Sequence, residues 1–484
     1  MHSDWPRVRL GDHIDSCLGK MLDKKKNKGI EQPYLGNSNV RWGEFDLSDL
    51  AQMKFEESEH ERYGITYGDL IVCEGGEPGR CAIWKAELPN MKIQKALHRI
   101  RTKSSLNSRF LYYWFYHAGK HGLLEPYFTG TTIKHLTGRA LNNLEIPMPP
   151  LSHQEFMAKV LGSLDDKIQL NHQINQTLEQ MAQAIFKSWF VDFDPVKAKI
   201  AALEAGGSEE VALRAAMQAI SGTSLFDADA STAGAQAALT RLQAEQPEQY
   251  AELRATAELF PSAMQDSALG EVPKGWGVSQ IGDEVTVVGG GTPSTKNPDF
   301  WNSGEINWTS PKDLSNLADK VLVETERKVT EAGLAKISSG LLPVDTVLMS
   351  SRAPVGYLAL AKIPVAVNQG YIAMKCEKAL SPEFVIQWCA AHMDEIKSRA
   401  SGTTFAEISK KNFKIIPVVM PTESLISIYS KQASSLYEAI ENNVRESDTL
   451  AKLRDSLLPK LLSGELSVSD VESHIADEAE PANV

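Results

Sequence analysis

Apolar positions along the chain fall into two kinds of pattern, and the two kinds alternate. Short apolar runs such as 70–73 and 347–349, separated by glycine and proline, predict strands within two mixed regions, 1–150 and 271–421. After each mixed region, apolar or small residues recur every three or four positions, which predicts a long helix with a coiled-coil seam. The seam positions are Met157, Leu161, Leu164, Ile168, Leu178, Met181, Ile185 and Trp189 in one helix, and Tyr429, Ala433, Leu436, Ile440, Leu450, Leu453 and Leu457 in the other.

Each mixed region also contains one predicted shorter helix. The apolar spacing places these helices near residues 110–117 and 384–398. In the second region Ser381 is the predicted N-cap, with Pro382 at the first helical position.

The chain contains one internal repeat. Gly130-Thr131-Thr132 recurs as Gly402-Thr403-Thr404 at an offset of 272, and the offset of other matched residues stays between 271 and 276 along the chain. Asn171 and Asn443 match at this offset and fall on the two seams, where a buried asparagine fixes coiled-coil register. The repeat therefore predicts two copies of one unit, whose long helices pair with each other.

These patterns predict an α+β fold, with two similar mixed α/β domains joined by two long coiled-coil helices in a pseudo-twofold arrangement. The predicted segments are a first domain (1–150), a central helix (151–195), an Ala-rich acidic insertion with two or three exposed helices (196–270), a second domain (271–421), a C-terminal helix (422–466) and a disordered acidic tail (467–484).

The composition is that of a globular protein without a membrane segment. Of 484 residues, 42% are hydrophobic and 23% are charged, which excludes wholesale disorder. Residues 1–6 lack the basic and apolar regions of a secretory signal, so we expect a cytoplasmic protein. The five cysteines include no CxxC pair, which argues against a disulfide framework or a zinc finger.

The charge is unevenly distributed. The net charge of the chain is −12, but residues 80–139 carry 11 basic and 2 acidic residues. Such a local patch can bind a polyanion, because the potential at a surface follows nearby charge. A solvated face balanced by charges elsewhere is the alternative interpretation.

No catalytic centre is predicted. The sequence has no G-x-x-x-x-G-K-[ST] loop for a nucleotide, and its histidines have no metal-ligand spacing. Asn297-Pro298-Asp299-Phe300 is similar to the N-P-P-F box of adenine methyltransferases, but its third residue differs and no Gly-rich cofactor loop precedes it. The chain is therefore predicted to be a binding protein with no catalytic residue and no metal site.

Several segments together resemble one family. Val272-Pro273-Lys274-Gly275-Trp276 is similar to the L-P-x-G-W opening of a target-recognition domain, and Gly290-Gly291-Thr292-Pro293-Ser294 is similar to the block that follows it. The segment 186–194, Phe-Lys-Ser-Trp-Phe-Val-Asp-Phe-Asp, resembles the end of the central helix. With these motifs the chain resembles the specificity (S) subunit of a type I DNA restriction–modification system. In the first copy, Asp4-Trp5-Pro6 keeps only the tryptophan of the opening motif.

The resemblance implies a function and a set of partners. Two target-recognition domains would each read half of a bipartite double-stranded DNA site, with the paired helices between them. Two modification (M) subunits would methylate adenine, and restriction (R) subunits would cleave. S-adenosylmethionine, ATP and Mg would bind to these partners and no cofactor to this chain. The alternatives are a self-contained DNA methyltransferase or nuclease, and a coiled-coil scaffold that binds proteins.

The candidate DNA-binding residues are of two kinds. Glycine–threonine loops allow close approach of the backbone to phosphates, whereas Arg, Lys, Asn and Gln side chains hold phosphates or read base edges. In the first domain the candidates are Arg80, Lys92, Gln94, Lys95, Arg99, Arg101, Gly130, Thr131, Thr132 and Lys134. In the second domain they are Thr292, Lys296, Arg352, Asn368, Gln369, Gly402, Thr403, Thr404, Lys410 and Lys411.

Overall fold

The computed structural model describes residues 5–23, 27–224, 232–352, 354–402 and 406–466. The chain divides into two units, which we call unit 1 (Met1–Ile168 with Thr449–Val484) and unit 2 (Gln169–Asp448). The tail predicted at 467–484 lies outside the described residues, as do Thr403 and Thr404.

Unit 1 contains three sheets. Strand β5 is buried at every position, as its uninterrupted apolar run predicts, and it lies inside the antiparallel sheet β2-β8-β5-β6. A second sheet has the order β4-β3-β7, and β1 pairs with β9. The strands are β1 (Arg7–Arg9), β2 (Ile14–Leu18), β3 (Ile30–Leu35), β4 (Gln52–Phe55), β5 (Leu70–Cys73), β6 (Cys81–Ile83), β7 (Lys92–Ile93), β8 (Leu97–Thr102) and β9 (Glu145–Pro147).

Helices cover the larger sheet of unit 1. The helices are α1 (His60–Tyr63), α2 (Ser108–Lys120) and α3 (Gly138–Asn142), followed by the long helix α4 (Leu151–Phe190). Asn107 caps α2 by accepting hydrogen bonds from the backbone of Arg109 and Phe110. The buried Phe110 and Phe115 share a core with Met157 of α4.

Four described helices follow α4, whereas the sequence predicts two or three. They are α5 (Asp194–Glu204), α6 (Glu209–Ser224), α7 (Thr232–Glu245) and α8 (Pro247–Glu258). The central helix predicted to reach 195 ends at Phe190, because Phe193 takes a left-handed backbone conformation (φ 57°) and a new helix begins at Asp194. The four helices have apolar contacts of their own, since Val196, Met217 and Ile220 are buried.

Unit 2 repeats the three sheets of unit 1 and adds one strand at the edge of the largest. Its largest sheet has the order β13-β20-β17-β18-β15, a second has β16-β14-β19, and β12 pairs with β21. A hairpin, β10-β11, precedes them. The strands are β10 (Met264–Ser267), β11 (Gly270–Pro273), β12 (Gly277–Gln280), β13 (Thr286–Val288), β14 (Ile306–Thr309), β15 (Val321–Leu322), β16 (Arg327–Val329), β17 (Thr346–Ser350), β18 (Leu358–Ala361), β19 (Ala366–Val367), β20 (Tyr371–Lys375) and β21 (Pro417–Met420).

The helices of unit 2 surround an aromatic core. The helices are α9 (Ile281–Glu284), α10 (Pro311–Ser315), α11 (Glu331–Leu334), α12 (Pro382–Ala391), α13 (Met393–Ser398), α14 (Lys410–Lys414) and the long helix α15 (Glu423–Leu462). Ser381 caps α12 as predicted, but the helix predicted over 384–398 is broken at His392. Phe190 of α4 lies 5.0 Å from Phe384 and 5.2 Å from Tyr429 between ring centroids.

The long helices α4 and α15 pair antiparallel. Within unit 2, Glu179 accepts a hydrogen bond from Tyr437, and Asn171 donates to Ser447, so the residue numbers run in opposite directions. Within unit 1, Arg454 donates to Asp165 at 2.7 Å. The predicted seam position Leu453 is exposed, whereas Leu458 and Leu461 are buried. The buried stripe of α15 thus shifts near its C-terminal end.

Candidate nucleic-acid interface

In unit 2, three loops meet beside the sheet β16-β14-β19. Gly291 donates its backbone N–H to the carbonyl of Val367, and Asn368 donates to that of Thr309. A side chain at Gly290 is sterically excluded, because its Cβ would lie 1.7 Å from the Val367 carbonyl oxygen. The backbone therefore holds the loop after β13 against the turn after β19.

Exposed polar side chains project from these loops. Thr292 donates to Oε1 of Gln369 at 2.7 Å, and both side chains are exposed. Lys296 is exposed in the same loop as Thr292. The side chain of Asn368 accepts from the Gly370 N–H at 2.7 Å and shapes the turn, so its amide NH₂ remains to donate.

The third loop of unit 2 carries the remaining candidates. Ser401 and Glu407 exchange backbone hydrogen bonds, and the exposed Gly402 between them has a φ of 135°. Arg352 lies 3.8 Å from the carboxylate of Glu407, so an ion pair holds part of its charge. Lys410 and Lys411 begin α14 and are exposed, and Lys410 Nζ lies beside Gly289. The second-domain candidates in the described residues therefore belong to neighbouring loops of one unit.

Unit 1 builds the same framework from different residues. Lys20 donates its backbone N–H to the Ile93 carbonyl, as Gly291 does to that of Val367. Gly19 corresponds to Gly290, because a Cβ at Gly19 would lie 2.4 Å from the Gln94 carbonyl oxygen. Gln94 accepts from the Ala96 N–H at 3.2 Å, as Asn368 does from Gly370. Lys95 occupies the place of Gln369 and is half-buried.

The hairpin of unit 1 that contains Gly130 is exposed. Thr129 and His135 exchange backbone hydrogen bonds of 2.9 and 2.8 Å and close the loop. Gly130 has a φ of 93°, a conformation that suits glycine, and Thr131 and Thr132 are exposed at the tip. Lys134, also exposed, lies 3.4 Å from Glu125. Backbone and hydroxyl donors at the tip suit phosphate oxygens.

Four candidates of the first domain form contacts within the unit instead. Lys92 is buried and donates to the Asn90 carbonyl, and burial lowers the pKa of its ammonium. Arg99 is buried as well, and it donates to the carbonyls of Arg62 and Gly64 at the end of α1. These two side chains are therefore corrected from candidate DNA contacts to structural groups.

Arg101 and Arg80 are held by carboxylates. Arg101 donates through two nitrogens to Asp69, at 2.8 and 3.1 Å. Arg80 donates to Glu77 at 3.0 Å and to the Asn37 carbonyl at 3.1 Å. Both guanidinium groups position neighbouring loops in this structure, and a DNA contact by either one stays a prediction.

Arg327 is exposed in unit 2 and is not among the candidates that the sequence predicts. Its guanidinium lies 3.6 Å from the ring centroid of Trp301. The signal was present in Trp301 and Trp308, but Arg327 itself stands in the mixed-charge run Glu326-Arg327-Lys328, which does not distinguish it.

At the helix pair, the two predicted register residues are close to each other. Asn171 is buried and donates to the Asn443 carbonyl at 3.3 Å and to Ser447 at 3.2 Å. Asn443 donates in turn to Asn175 at 2.8 Å. Their effect on register stays a prediction.

The part of the chain that the structure describes contains neither a metal-binding cluster nor a membrane-spanning helix. Among the described residues, no group of three or more His, Cys, Asp or Glu side chains is arranged to hold a metal ion. Nor does any helix within the described ranges combine the length and apolarity needed to cross a membrane.

Comparison with known proteins identifies the family. The family model described as type I restriction modification DNA specificity domain matches residues 2–180 and 273–427. The HindI specificity subunit of Haemophilus influenzae is 35% identical over 96% of this chain and 100% of its own length. The MjaIX specificity subunit of Methanocaldococcus jannaschii is 32% identical over 40% of this chain and 45% of its own length.

A solved S subunit from M. genitalium is 15% identical, with a TM-score of 0.48, and the similarity covers 94% of this chain and 96% of that one. The family match covers the mixed region of each copy and all but the last ten residues of α4, and it leaves out the insertion at 196–270 and nearly all of α15. The chain belongs to the type I restriction–modification DNA specificity family, whose members supply DNA recognition.

Proposed function

We propose that the chain reads a bipartite double-stranded DNA site, with one half-site contacted by the loops of each unit. The observation that carries this proposal is the repeated loop framework. Gly291, Asn368 and Gln369 in unit 2 correspond to Lys20, Gln94 and Lys95 in unit 1 by matching backbone hydrogen bonds. The same framework with different side chains predicts two half-sites of different sequence.

The partners follow from the same symmetry. The named relatives are specificity subunits of type I restriction enzymes. A pseudo-twofold helix pair offers one surface twice, so we propose that two modification subunits bind, with restriction subunits joining the assembly. S-adenosylmethionine, ATP and Mg then bind to those subunits.

The test is methylation mapping with the assembled complex. The chain is co-purified with a modification subunit, and adenine methylation is mapped on random-sequence DNA. The expected result is one bipartite site with an unread spacer. Methylation at a continuous site, or binding that shows no sequence preference at any salt concentration, would contradict the proposal.

A paired set of variants locates the interface in unit 2. In Lys410→Gln/Lys411→Gln, two exposed charges are removed from the proposed interface, so affinity should fall and the log–log salt slope should decrease by up to about two. The control, Lys197→Gln/Arg241→Gln, removes two charges from the exposed surface of the helical insertion. Equal losses in both variants would indicate a general charge effect and remove α14 from the interface.

The self-contained methyltransferase alternative has its own assay. The purified chain is incubated with DNA and labelled S-adenosylmethionine without a modification subunit. We expect unlabelled DNA, because the sequence lacks a Gly-rich cofactor loop. Labelling at a discrete site would support the alternative.

A further inference from the structure

Arg327 presents an exposed guanidinium that is held by aromatic rings. The antiparallel register of β14 and β16 pairs Arg327 with Trp308. The guanidinium carbon lies 3.6 Å from the ring centroid of Trp301 and 5.3 Å from that of Trp308. The two rings are themselves fixed edge to face, with centroids 5.1 Å apart. Stacking on this pair restricts the plane of the guanidinium without using its N–H groups.

Those N–H groups set Arg327 apart from the other arginines of unit 2. Arg214, Arg241, Arg254, Arg352, Arg399 and Arg445 each lie 2.7–3.8 Å from a carboxylate oxygen. Among the described residues, Arg327 has no carboxylate partner and no hydrogen-bond acceptor for its guanidinium. A planar group with its donors free is ready to bind an acceptor from another molecule.

The same two tryptophans fix the interface loop of unit 2. Trp308 donates its indole N–H to the Gly291 carbonyl, and Trp301 donates to the Ser294 carbonyl, both at 3.1 Å. Thr292, which lies between these two anchor points, is hydrogen-bonded to Gln369. Arg327 therefore belongs to the same surface as the candidate DNA-binding residues of unit 2.

We infer that Arg327 is a specificity-determining residue that reads a guanine in the half-site bound by unit 2. Guanine presents two acceptors, O6 and N7, in the major groove, and the arginine fork matches them with two parallel hydrogen bonds. The stack on Trp301 fixes the plane of the guanidinium, as recognition of a base edge requires, and the salt dependence of the variants distinguishes this contact from a bidentate contact with phosphate. This inference rests on the proposed function, since it assigns a role within DNA recognition.

In unit 1 the position that corresponds to Arg327 is occupied by an alanine. Tyr34 is the counterpart of Trp308. In unit 2, Trp308 pairs with Ala366 in parallel register, and in unit 1, Tyr34 pairs with Lys92 in the same way. Tyr34 donates its backbone N–H to the Ala51 carbonyl, so Ala51 is the residue of unit 1 that pairs with Tyr34 as Arg327 pairs with Trp308 in unit 2. The effect of changing Arg327 should be confined to one half-site, and the other half-site serves as an internal control.

The experiment compares Arg327→Gln and Arg327→Lys with wild type in the complex with the modification subunit. Methylation mapping and competition binding are performed on a panel in which each half-site position is varied singly. Both variants should relax the preference for guanine at one position of one half-site by roughly 10- to 100-fold. The salt slope and the other half-site should stay unchanged. Arg241→Gln, at an exposed arginine of helix α7, is the matched control.

Several results would overturn the inference. A uniform loss of affinity across all sequences, with a salt slope smaller by about one, would make Arg327 a phosphate contact. If Arg327→Lys keeps the wild-type preference for guanine, a positive charge without the two-pronged guanidinium is sufficient for that preference. Unchanged preference in both variants would remove Arg327 from DNA recognition. If the wild-type complex itself shows no bipartite site, the proposed function fails first, which distinguishes the two failures.

Discussion

The side-chain amide of Asn171 donates a hydrogen bond of 3.2 Å to the hydroxyl of Ser447 on the facing helix. Asn443 donates a second bond, of 2.8 Å, to Asn175. The two bonds are equivalent by the internal repeat, because Asn443 lies 272 residues after Asn171 and Ser447 lies 272 residues after Asn175. The antiparallel pair α4–α15 therefore has a pseudo-twofold axis at this level. Polar groups at the axis favour one register, since a slip would leave them buried without partners.

Replacing this polar pair tests its role in register. In Asn171→Leu/Ser447→Ala, a buried polar pair becomes apolar, and the unsatisfied Oδ1 of Asn171 is removed. We expect unfolding temperature to stay equal or rise, and association state to become heterogeneous, because the apolar seam accepts other registers and partners. Calorimetry and size-exclusion chromatography with light scattering measure the two effects.

The control is Thr177→Leu, at an exposed position of the same helix. A lower unfolding temperature together with an unchanged monodisperse chain would show that the polar pair contributes stability and does not select the register.

The repeat could be predicted from sequence, but the internal contacts of its charged residues could not. The ordered series of matched residues identifies two copies, and the matching sheet orders of units 1 and 2 follow from it. Whether Arg99 faces solvent depends on α1, a short helix 36 residues earlier in the chain, whose terminal carbonyls it binds. Basic composition does not reveal such a partner. Arg327 is the opposite case, because it remains exposed and is oriented by the ring of Trp301, which is distant in sequence.

Lys95→Ala should weaken DNA binding and leave folding intact. The Lys95 side chain is half-buried at the turn that corresponds to Gln369, and its described hydrogen bond comes from the backbone. A phosphate contact predicts a salt slope smaller by about one, and a base contact predicts relaxed preference at one position, by about 1–3 kcal/mol. Binding isotherms across salt and site variants decide between them, and wild-type behaviour in both would remove Lys95 from the interface.

Arg99→Ala should have the opposite profile. The buried Arg99 donates to the carbonyls of Glu61, Arg62 and Gly64, so its loss leaves the C-terminal end of α1 unsatisfied. We expect a loss of about 2–3 kcal/mol in the free energy of unfolding. Urea unfolding measures it, and at temperatures where the variant is folded its site preference should match wild type. A change in base preference with wild-type stability would return Arg99 to the DNA interface.

The half-buried carboxylate of Glu179 predicts a pH dependence. Burial alone would raise the pKa of Glu179, but the ammonium of Lys320 and hydrogen bonds from Gln183 and Tyr437 hold it below its ordinary value of 4.5. Because the folded pKa is depressed, this group stabilises unit 2 above pH 4.5, and the contribution is lost as pH falls through the folded pKa. Glu179→Gln should therefore be less stable than wild type at pH 7, by about 1.5–3 kcal/mol, and the difference should shrink below pH 4.5.

Urea midpoints at pH 7, 5, 4 and 3, each compared with wild type, measure the difference. Glu438→Gln, an exposed carboxylate on α15, is the control and should follow wild type at every pH. A stability difference for Glu179→Gln that is the same at all four pH values would show that the lost interaction is not linked to ionisation.

The helix pair also predicts how the DNA site responds to a change in helix length. The division between units falls at Ile168 in α4 and at Asp448 in α15, so both helices pass from one unit into the other. Since they are antiparallel, a matched insertion has to lengthen both. Seven residues added after Ile168 and seven after Asp448 preserve the heptad seam and add about 10 Å. Because duplex DNA rises about 3.4 Å per base pair, the unread spacer should grow by about three base pairs.

Methylation mapping of the lengthened chain with its modification subunit checks this expectation. The two half-site sequences should stay the same, because no interface loop is altered, whereas affinity should fall, since three added base pairs rotate the second half-site by roughly 100° about the duplex axis. Seven residues inserted into the loop 205–208, outside α4 and α15, form the control and should leave the spacer unchanged. An unchanged spacer in the doubly lengthened chain would show that the helices do not set the half-site separation. A change in half-site sequence would show that the helices influence base reading itself, because the loops that carry Lys95 and Gln369 have the same residues in both chains.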